Sequence, residues 1–329
     1  MLTPWLEPIW ARLSQQRQQG RLAHGLLLCG PAGVGKRMLA KELVASLLCL
    51  SPSDDLEACG QCERCALVAA GSHPDLRQLL PEEDSKVLKV DQVRELTAFL
   101  SLTSQFSGWK IALIDPADWM NENAANALLK TLEEPGEGTL LLLISDRPAS
   151  LSATIRSRCQ RIDFRTPSSD ESFTWLTQFT DEKAASLLLQ RAAGAPIHAR
   201  ALIEQGDDEA RSRCHGQWLE VMSGRLDPVS VASEWLKVGA PMCLEWMHGW
   251  LEDQIRLGAV SGEGGAARLL NPDLATNRID QLPAAHGLFE RLDQLAEARR
   301  LARTPVNQQL LLERVLFDWY RLTAPKRGR

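Results

Sequence analysis

The sequence predicts an α/β unit built on a parallel sheet, followed by an all-α region. Three observations support this. Between residues 24 and 164, short apolar runs alternate with segments of helical spacing, as they do in a parallel sheet covered on both faces. A glycine-rich turn joins the first apolar run to the first helical segment. After RTPSSD, 165–170, the apolar runs disappear and helical patterns fill the rest of the 329-residue chain. That length allows two or three domains at roughly 150 residues each.

The first predicted strand is HGLLLCG, 24–30, and the turn after it is GPAGVGKR, 30–37. MLAKELVASLL follows with Leu39, Leu43 and Leu47 at i, i+4, i+8, the spacing of one helix face. Residues 49–65 read as irregular and cysteine-rich. Asp91 is the expected N-cap of DQVRELTAFLSL. WKIALID, 109–115, is the second strand; Asn121 to Glu134 is helical and stops at Pro135. TLLLLIS, 139–145, and CQRIDF, 159–164, complete the predicted strands. Short helices are expected over 167–204, broken at Gly-Ala-Pro, 194–196, and longer ones over 208–323, interrupted by a loop at 258–273. Thr304-Pro305 has the cap-then-proline form of a helix start. Beyond it Leu312, Leu316 and Trp319, flanked by Leu311 and Val315, make an apolar face wide enough to pack beyond its own domain.

Hydrophobic residues are 44% and charged residues 24% of the chain, and the formal net charge is -5. That balance gives no global pull toward nucleic acid or an anionic membrane; such a partner would need a local basic patch. MLTPWLEPIW lacks the basic start and apolar run of a secretory signal. No apolar segment reaches the ~18 residues of a membrane span. A cytosolic chain keeps its thiols reduced. The eight cysteines are therefore expected as metal ligands or buried small hydrophobes.

GPAGVGKR differs by one residue from the phosphate-loop pattern GxxxxGK[ST]. Such a loop works because backbone N–H groups and a helix N-terminus converge on anionic oxygens. Gly30, Gly33 and Gly35 let the backbone wrap closely, and Lys36 would reach the β- and γ-phosphates. The next residue normally offers a hydroxyl to Mg²⁺. Here it is Arg37, a cation that repels one. Asp115 ends the second strand, where a second metal-binding acid belongs, but Pro116 follows in place of a water-activating glutamate. Asp118, three positions on, is poorly placed to substitute. Two arrangements follow for Arg37. Either it pairs with Asp115 and plugs the metal position, or it turns outward into solvent.

Cys49, Cys59, Cys62 and Cys65 read C-x9-C-x2-C-x2-C. Four thiolates at this spacing can surround Zn²⁺ in a closed, structural site. The bland reading is four unrelated buried cysteines. Gly60, Gln61, Glu63 and Arg64 carry no basic excess, so a folding role is favoured over DNA binding. Cys29, Cys159, Cys214 and Cys243 are scattered and read as core residues.

After the cysteine cluster come HPD (73–75), DQVREL, WKIALID, AANALLKTLEEP (124–135) and LSATIRSRCQ (151–160), in that order. The series resembles bacterial clamp-loader subunits, the AAA+ proteins of the replicative DNA polymerase III, strongly over 1–205 and less strongly beyond. Its most specific piece is Ser157-Arg158-Cys159. The resemblance implies that Arg158 reaches into a neighbouring subunit's ATP site as an arginine finger. On its own surroundings, between Arg156 and Arg161, it also reads as a solvated surface charge.

Motor subunits of that family keep a complete phosphate loop, an Asp-Glu pair and a sensing arginine in a GxxR stretch. A second, stator kind has lost them and retains its SRC arginine. This chain has GKR for GK[ST], Asp115-Pro116 for Asp-Glu, and GAPI, 194–197, for GxxR. NQQLLLERVL, 307–316, resembles the last helix of the family's collar. The resemblance thus implies an AAA+ P-loop domain over 1–165 with its cysteine module at 49–65, a helical lid over 166–206 and a helical collar over 207–329. It implies a stator with no ATPase of its own inside a polymerase holoenzyme. Its partners would be gamma/tau motor subunits and a delta subunit in a hetero-pentamer, with the sliding clamp and primed DNA reached through the complex. Structural Zn²⁺ is expected and a Mg²⁺ site is not, while the retained loop leaves ATP or ADP binding open. The competing readings are an active clamp-loader-type ATPase, separable by turnover of the isolated chain, and a zinc-containing nucleic-acid binder, separable by steep salt dependence of DNA affinity.

Overall fold

The structure is a computed structural model that describes residues 2–53, 55–80, 88–106, 108–259, 269–274, 285–302, 304 and 306–323. The chain forms two compact units, residues 1–171 and 172–329. The expected boundary at 165/166 lies close to this division, and the one at 206/207 falls inside the second unit.

In the first unit the order is α1 (Glu7–Gln18), β1 (Gly25–Cys29), α2 (Lys36–Leu48), α3 (Glu63–Ala69), β2 (Leu76–Leu79), α4 (Val90–Leu100), β3 (Lys110–Ile114), α5 (Glu122–Glu133), β4 (Thr139–Ser145), α6 (Ala153–Arg158) and β5 (Gln160–Asp163). The five strands form one parallel sheet in the order β2-β3-β4-β1-β5. Every residue of β1, β3 and β4 is buried. That is why these strands read as unbroken apolar runs rather than alternating ones. On one face, Leu27, Ala112, Ile114, Leu141 and Leu143 pack with Val93, Leu96 and Leu100 of α4 and with Ala124, Leu128 and Leu132 of α5. Leu39, Leu43 and Leu47 of α2 are buried as their spacing requires.

Strand β2 escapes the apolar-run criterion because only Leu76 and Leu79 are buried while Arg77 and Gln78 are exposed. It is an edge strand, and a covalently neighbouring acid anchors it. Asp75 is fully buried; its carboxylate accepts the N–H groups of Gln105 (2.9 Å) and Phe106 (3.1 Å) and the Ser104 hydroxyl (2.9 Å), and pairs with Lys110 Nζ at 3.2 Å. These hydrogen bonds outweigh its burial and hold it below the usual carboxylate range. The expected Asp91 cap is corrected: α4 starts at Val90, Lys89 takes the cap position, and the Gln92 side chain accepts the Lys89 N–H at 2.8 Å. Asp91 lies inside the first turn and pairs with Arg94. Asn121 caps α5 by accepting the Ala124 N–H at 2.8 Å.

The second unit contains α7 (Ser169–Leu176), which begins just ahead of it, then α8 (Glu182–Arg191), α9 (Pro196–Gln205), α10 (Asp208–Met222), α11 (Pro228–Val238), α12 (Ala240–Ala259), α13 (Ala285–Leu301) and α14 (Gln308–Thr323). Trp218, Trp235, Trp250 and Trp319 centre its core, with Trp218 stacked on Trp250 at 5.7 Å and meeting Trp319 edge-on at 5.4 Å. The face of α14 expected to reach beyond its domain is taken up here: Leu311, Leu312, Val315, Leu316 and Trp319 all belong to this core. Of the predicted interruption at 258–273, residues 260–268 lie outside the described residues. Residues 270 and 271 are pinned by the buried Asp253 carboxylate, which accepts both of their N–H groups at 2.7 Å. Pro305 of the expected Thr304-Pro305 start also lies outside the described residues; α14 begins at Gln308, with Asn307 accepting the Leu310 N–H at 3.1 Å.

Candidate functional site

In an open parallel sheet, ligands bind where strand ends meet loops, at the carboxyl edge. Here that edge brings together the loop 30–37 after β1, Asp115 after β3 and Asp146 after β4. The register fixes the approach: Cys29 pairs with Ser145, and the Gly30 N–H donates to the Ser145 carbonyl at 3.3 Å. Gly30 admits no side chain, because a Cβ there would lie 2.2 Å from the Phe164 carbonyl oxygen. Gly33 and Gly35 follow in left-handed conformations, with φ of 73° and 110°. The Trp5 indole N–H donates to the Val34 carbonyl at 2.9 Å and ties the N-terminal segment to the loop.

Lys36 is 3% exposed and turns back on its own loop. Its Nζ donates to the carbonyls of Gly30 (2.6 Å) and Pro31 (2.5 Å) and lies 2.6 Å from Asp146 Oδ1. Arg37 does not turn away into solvent alone. Its Nε and an Nη meet the two carboxylate oxygens of Asp115 at 2.6 and 2.8 Å, the bidentate fork that suits guanidinium and carboxylate. The arginine side chain is 50% exposed and the aspartate 9%. This hydrogen-bonded partner raises the Arg37 pKa above its ordinary value. Asp118 is committed elsewhere: its carboxylate accepts the Ser145 hydroxyl at 3.0 Å and the Asp146 N–H at 3.2 Å, and pairs with Arg147 at 3.3 Å.

The four sequence-predicted cysteines come together, all four Sγ lying within 4.8 Å of one another. Cys49 and Cys62 are 4.0 Å apart, as are Cys59 and Cys65. A tetrahedron of ~2.3 Å Zn–S bonds has sulfur–sulfur edges of about 3.8 Å, so the thiols stand near the spacing a metal needs. Backbone N–H groups aim at them as well: Cys59 N–H at Cys49 Sγ (3.3 Å) and Cys65 N–H at Cys62 Sγ (3.4 Å). Hydrogen bonds from the Leu50 and Cys65 backbone bring the Cys62 thiol down to about 6, while burial pushes Cys65 up to about 12. Cys29, Cys159, Cys214 and Cys243 are each buried outside the cluster.

Arg158 ends α6, whose N-terminus is capped by the Ser152 side chain on the Ile155 N–H. It is 34% exposed. Its Nε and an Nη hold Glu133 Oε1 at 2.8 and 2.6 Å, and the other Nη donates to the Thr154 carbonyl at 3.2 Å. Sequence reasoning missed Glu133 and Asp146. Glu133 carries no signal beyond its place at the end of LLKTLEE. Asp146 does, since it follows an apolar strand just as Asp115 does. Ile197, at the GxxR position, sits in the first turn of α9 and supplies no cation.

Known proteins give a consistent account. Residues 5–168 match the family described as "DNA polymerase III, delta subunit", and residues 206–321 match its C-terminal family. The chain is 37% identical to DNA polymerase III subunit delta' of Pseudomonas aeruginosa over 98% of both chains. It is 36% identical to the Escherichia coli subunit delta', covering 95% of this chain and 94% of that one. In structure it resembles a DNA polymerase III gamma subunit-related protein of Thermotoga maritima, with a TM-score of 0.53 at 16% identity, covering 97% of this chain and all of the other. That likeness bears out the expected architecture, an α/β unit on a parallel sheet followed by a helical region. With a curated relative matching along nearly its whole length, the chain belongs to the DNA polymerase III subunit delta' family.

Proposed function

We propose that this chain is the non-hydrolysing stator of a clamp loader and supplies Arg158 to the ATP site of a neighbouring motor subunit. The observation that supports this most is the Arg37–Asp115 pair. A catalytic phosphate loop needs a hydroxyl and a free carboxylate for Mg²⁺ and an acid to activate water. At the first two positions the chain puts a guanidinium and a carboxylate bonded to each other. At the third it puts Pro116, and the nearby Asp118 is bonded to Ser145, Asp146 and Arg147. The pair plugs the metal position.

Arg158 is placed differently. Its partner Glu133 is itself half-exposed, and exposed ion pairs of this kind contribute about 0–1 kcal/mol. The guanidinium can therefore exchange Glu133 for a transferring phosphoryl group at little cost. Thr154 keeps hold of one nitrogen and preserves its direction. The four cysteines hold a structural Zn²⁺, which supplies folding energy and no open coordination position. Residues 166–206 serve as the lid and 207–329 as the collar through which gamma/tau motor subunits, delta and this chain join as a hetero-pentamer. The complex acts in the cytoplasm on the sliding clamp and primed DNA. Among the described residues, no helix is long and apolar enough to cross a membrane.

The test is ATP turnover by the complex reconstituted with Arg158→Ala. Turnover falls at one site while the variant chain melts and assembles as the unaltered one does. Unchanged turnover and unchanged clamp loading would sink the proposal.

A further inference from the structure

We infer that Asp146 is the resident anion of the phosphate loop: its carboxylate occupies Lys36 in place of the β- and γ-phosphates and keeps nucleotide out. This deepens the non-hydrolysing reading and rests on it, but it concerns binding rather than turnover. A loop stripped of its metal ligands can still bind nucleotide through its lysine and backbone N–H groups. Whether it does depends on what the lysine already holds.

An ammonium has three donors. Lys36 directs two of them to the Gly30 and Pro31 carbonyls, at 2.6 and 2.5 Å, and its Nζ forms an ion pair with Asp146 Oδ1 at 2.6 Å. Asp146 Oδ1 is itself buried and accepts no well-aligned hydrogen bond, so Lys36 is the charge that balances it. The main chain that carries Asp146 is held by the Gly30–Ser145 hydrogen bond on one side and by its own N–H to Asp118 on the other. The surrounding charges are matched one to one: Lys36 with Asp146, Arg37 with Asp115, Arg147 with Asp118. A triphosphate entering this set meets three carboxylates whose cations are already engaged. A neutral residue at 146 would leave Lys36 with an unbalanced positive charge, the state a phosphate loop needs.

The experiment measures binding of ATP to the purified full-length chain by calorimetry, with chelator present so that no divalent metal contributes. The unaltered chain is compared with Asp146→Asn, Asp146→Ser and the double variant Asp146→Asn, Lys36→Ala. The inference requires at least tenfold tighter binding in the single variants and loss of that gain in the double variant. It is overturned if the unaltered chain binds ATP as tightly as the single variants, if neither variant gains affinity, or if the gain survives loss of Lys36. A measurement free of variants stands beside it: phosphorus NMR of inorganic pyrophosphate titrated with the unaltered chain. No saturable shift is expected, and a saturable shift would overturn the inference. Tight ATP binding without turnover would remove the role of Asp146 and leave the stator standing. Turnover would remove the stator.

Discussion

The phosphate loop at 30–37 and the cysteine cluster at 49–65 sit at opposite ends of α2, and both are recognisable ligand-binding patterns. They differ in what their polar groups do. In the loop, each charged side chain has a partner from the same chain: Lys36 has Asp146 and Arg37 has Asp115. In the cluster, four sulfurs face one another within 4.8 Å and find no opposite charge among themselves. Backbone N–H groups stabilise a thiolate there and bring Cys62 down to about 6. One pattern is self-contained, and the other holds four sulfurs at the spacing a metal ion could close. A motif therefore reports ancestry of shape, while the partners of its side chains report present chemistry.

The comparison can be broken most severely at the cluster. Cys62→Ser removes one of four ligands, and structural zinc in small modules carries on the order of 10 kcal/mol of apparent binding energy. The variant should lose its bound zinc by elemental analysis and lose more than about 3 kcal/mol of stability in urea, where the unaltered chain carries one zinc. At the loop the effect should be smaller and of a different origin. Lys36→Ala takes the counter-charge from the partly buried Asp146 carboxylate, which, after discounting for its exposure, costs about 1–2 kcal/mol. A lysine that merely awaited a phosphate could be removed at almost no cost to stability, so urea melting separates the two cases.

Smaller effects sharpen the same contrast. Arg37→Ala should cost about 1 kcal/mol, because the arginine is half-exposed and solvent screens its pair, and it should leave zinc content unchanged. Glu133→Ala should shift the melting of the chain by less than about 1 kcal/mol. In the reconstituted complex it should leave ATP turnover near that of the unaltered chain, since Glu133 is the partner Arg158 gives up and Thr154 still directs the arginine. Loss as large as that of Arg158→Ala would mean that Glu133 is more than a displaceable partner.

Much of the fold was legible because burial on both faces writes itself into sequence. The residues of β1, β3 and β4 are all buried and all read as strands. Strand β2 was not legible, since two buried leucines around Arg77 and Gln78 carry no period that a loop lacks. The start of α4 was misplaced because Gln92 reaches back to Lys89, so the cap lies before the acid that looked like one. At the site, Lys36, Arg37, Asp115 and the four cysteines could be named from spacing, since each belongs to a contiguous motif. Asp146 and Glu133 could not be assigned their partners that way. The contact of Asp146 with Lys36 depends on β1 and β4 being neighbours in the sheet, and that of Glu133 with Arg158 on the end of α5 meeting α6.

The central claim is that the loop's charged groups are engaged with one another and cannot drive hydrolysis. Steady-state release of phosphate from ATP by the isolated chain, with Mg²⁺ present and Lys36→Ala as the blank, tests it most directly. The unaltered chain should be indistinguishable from the blank. Sustained turnover that disappears in Lys36→Ala would contradict the account.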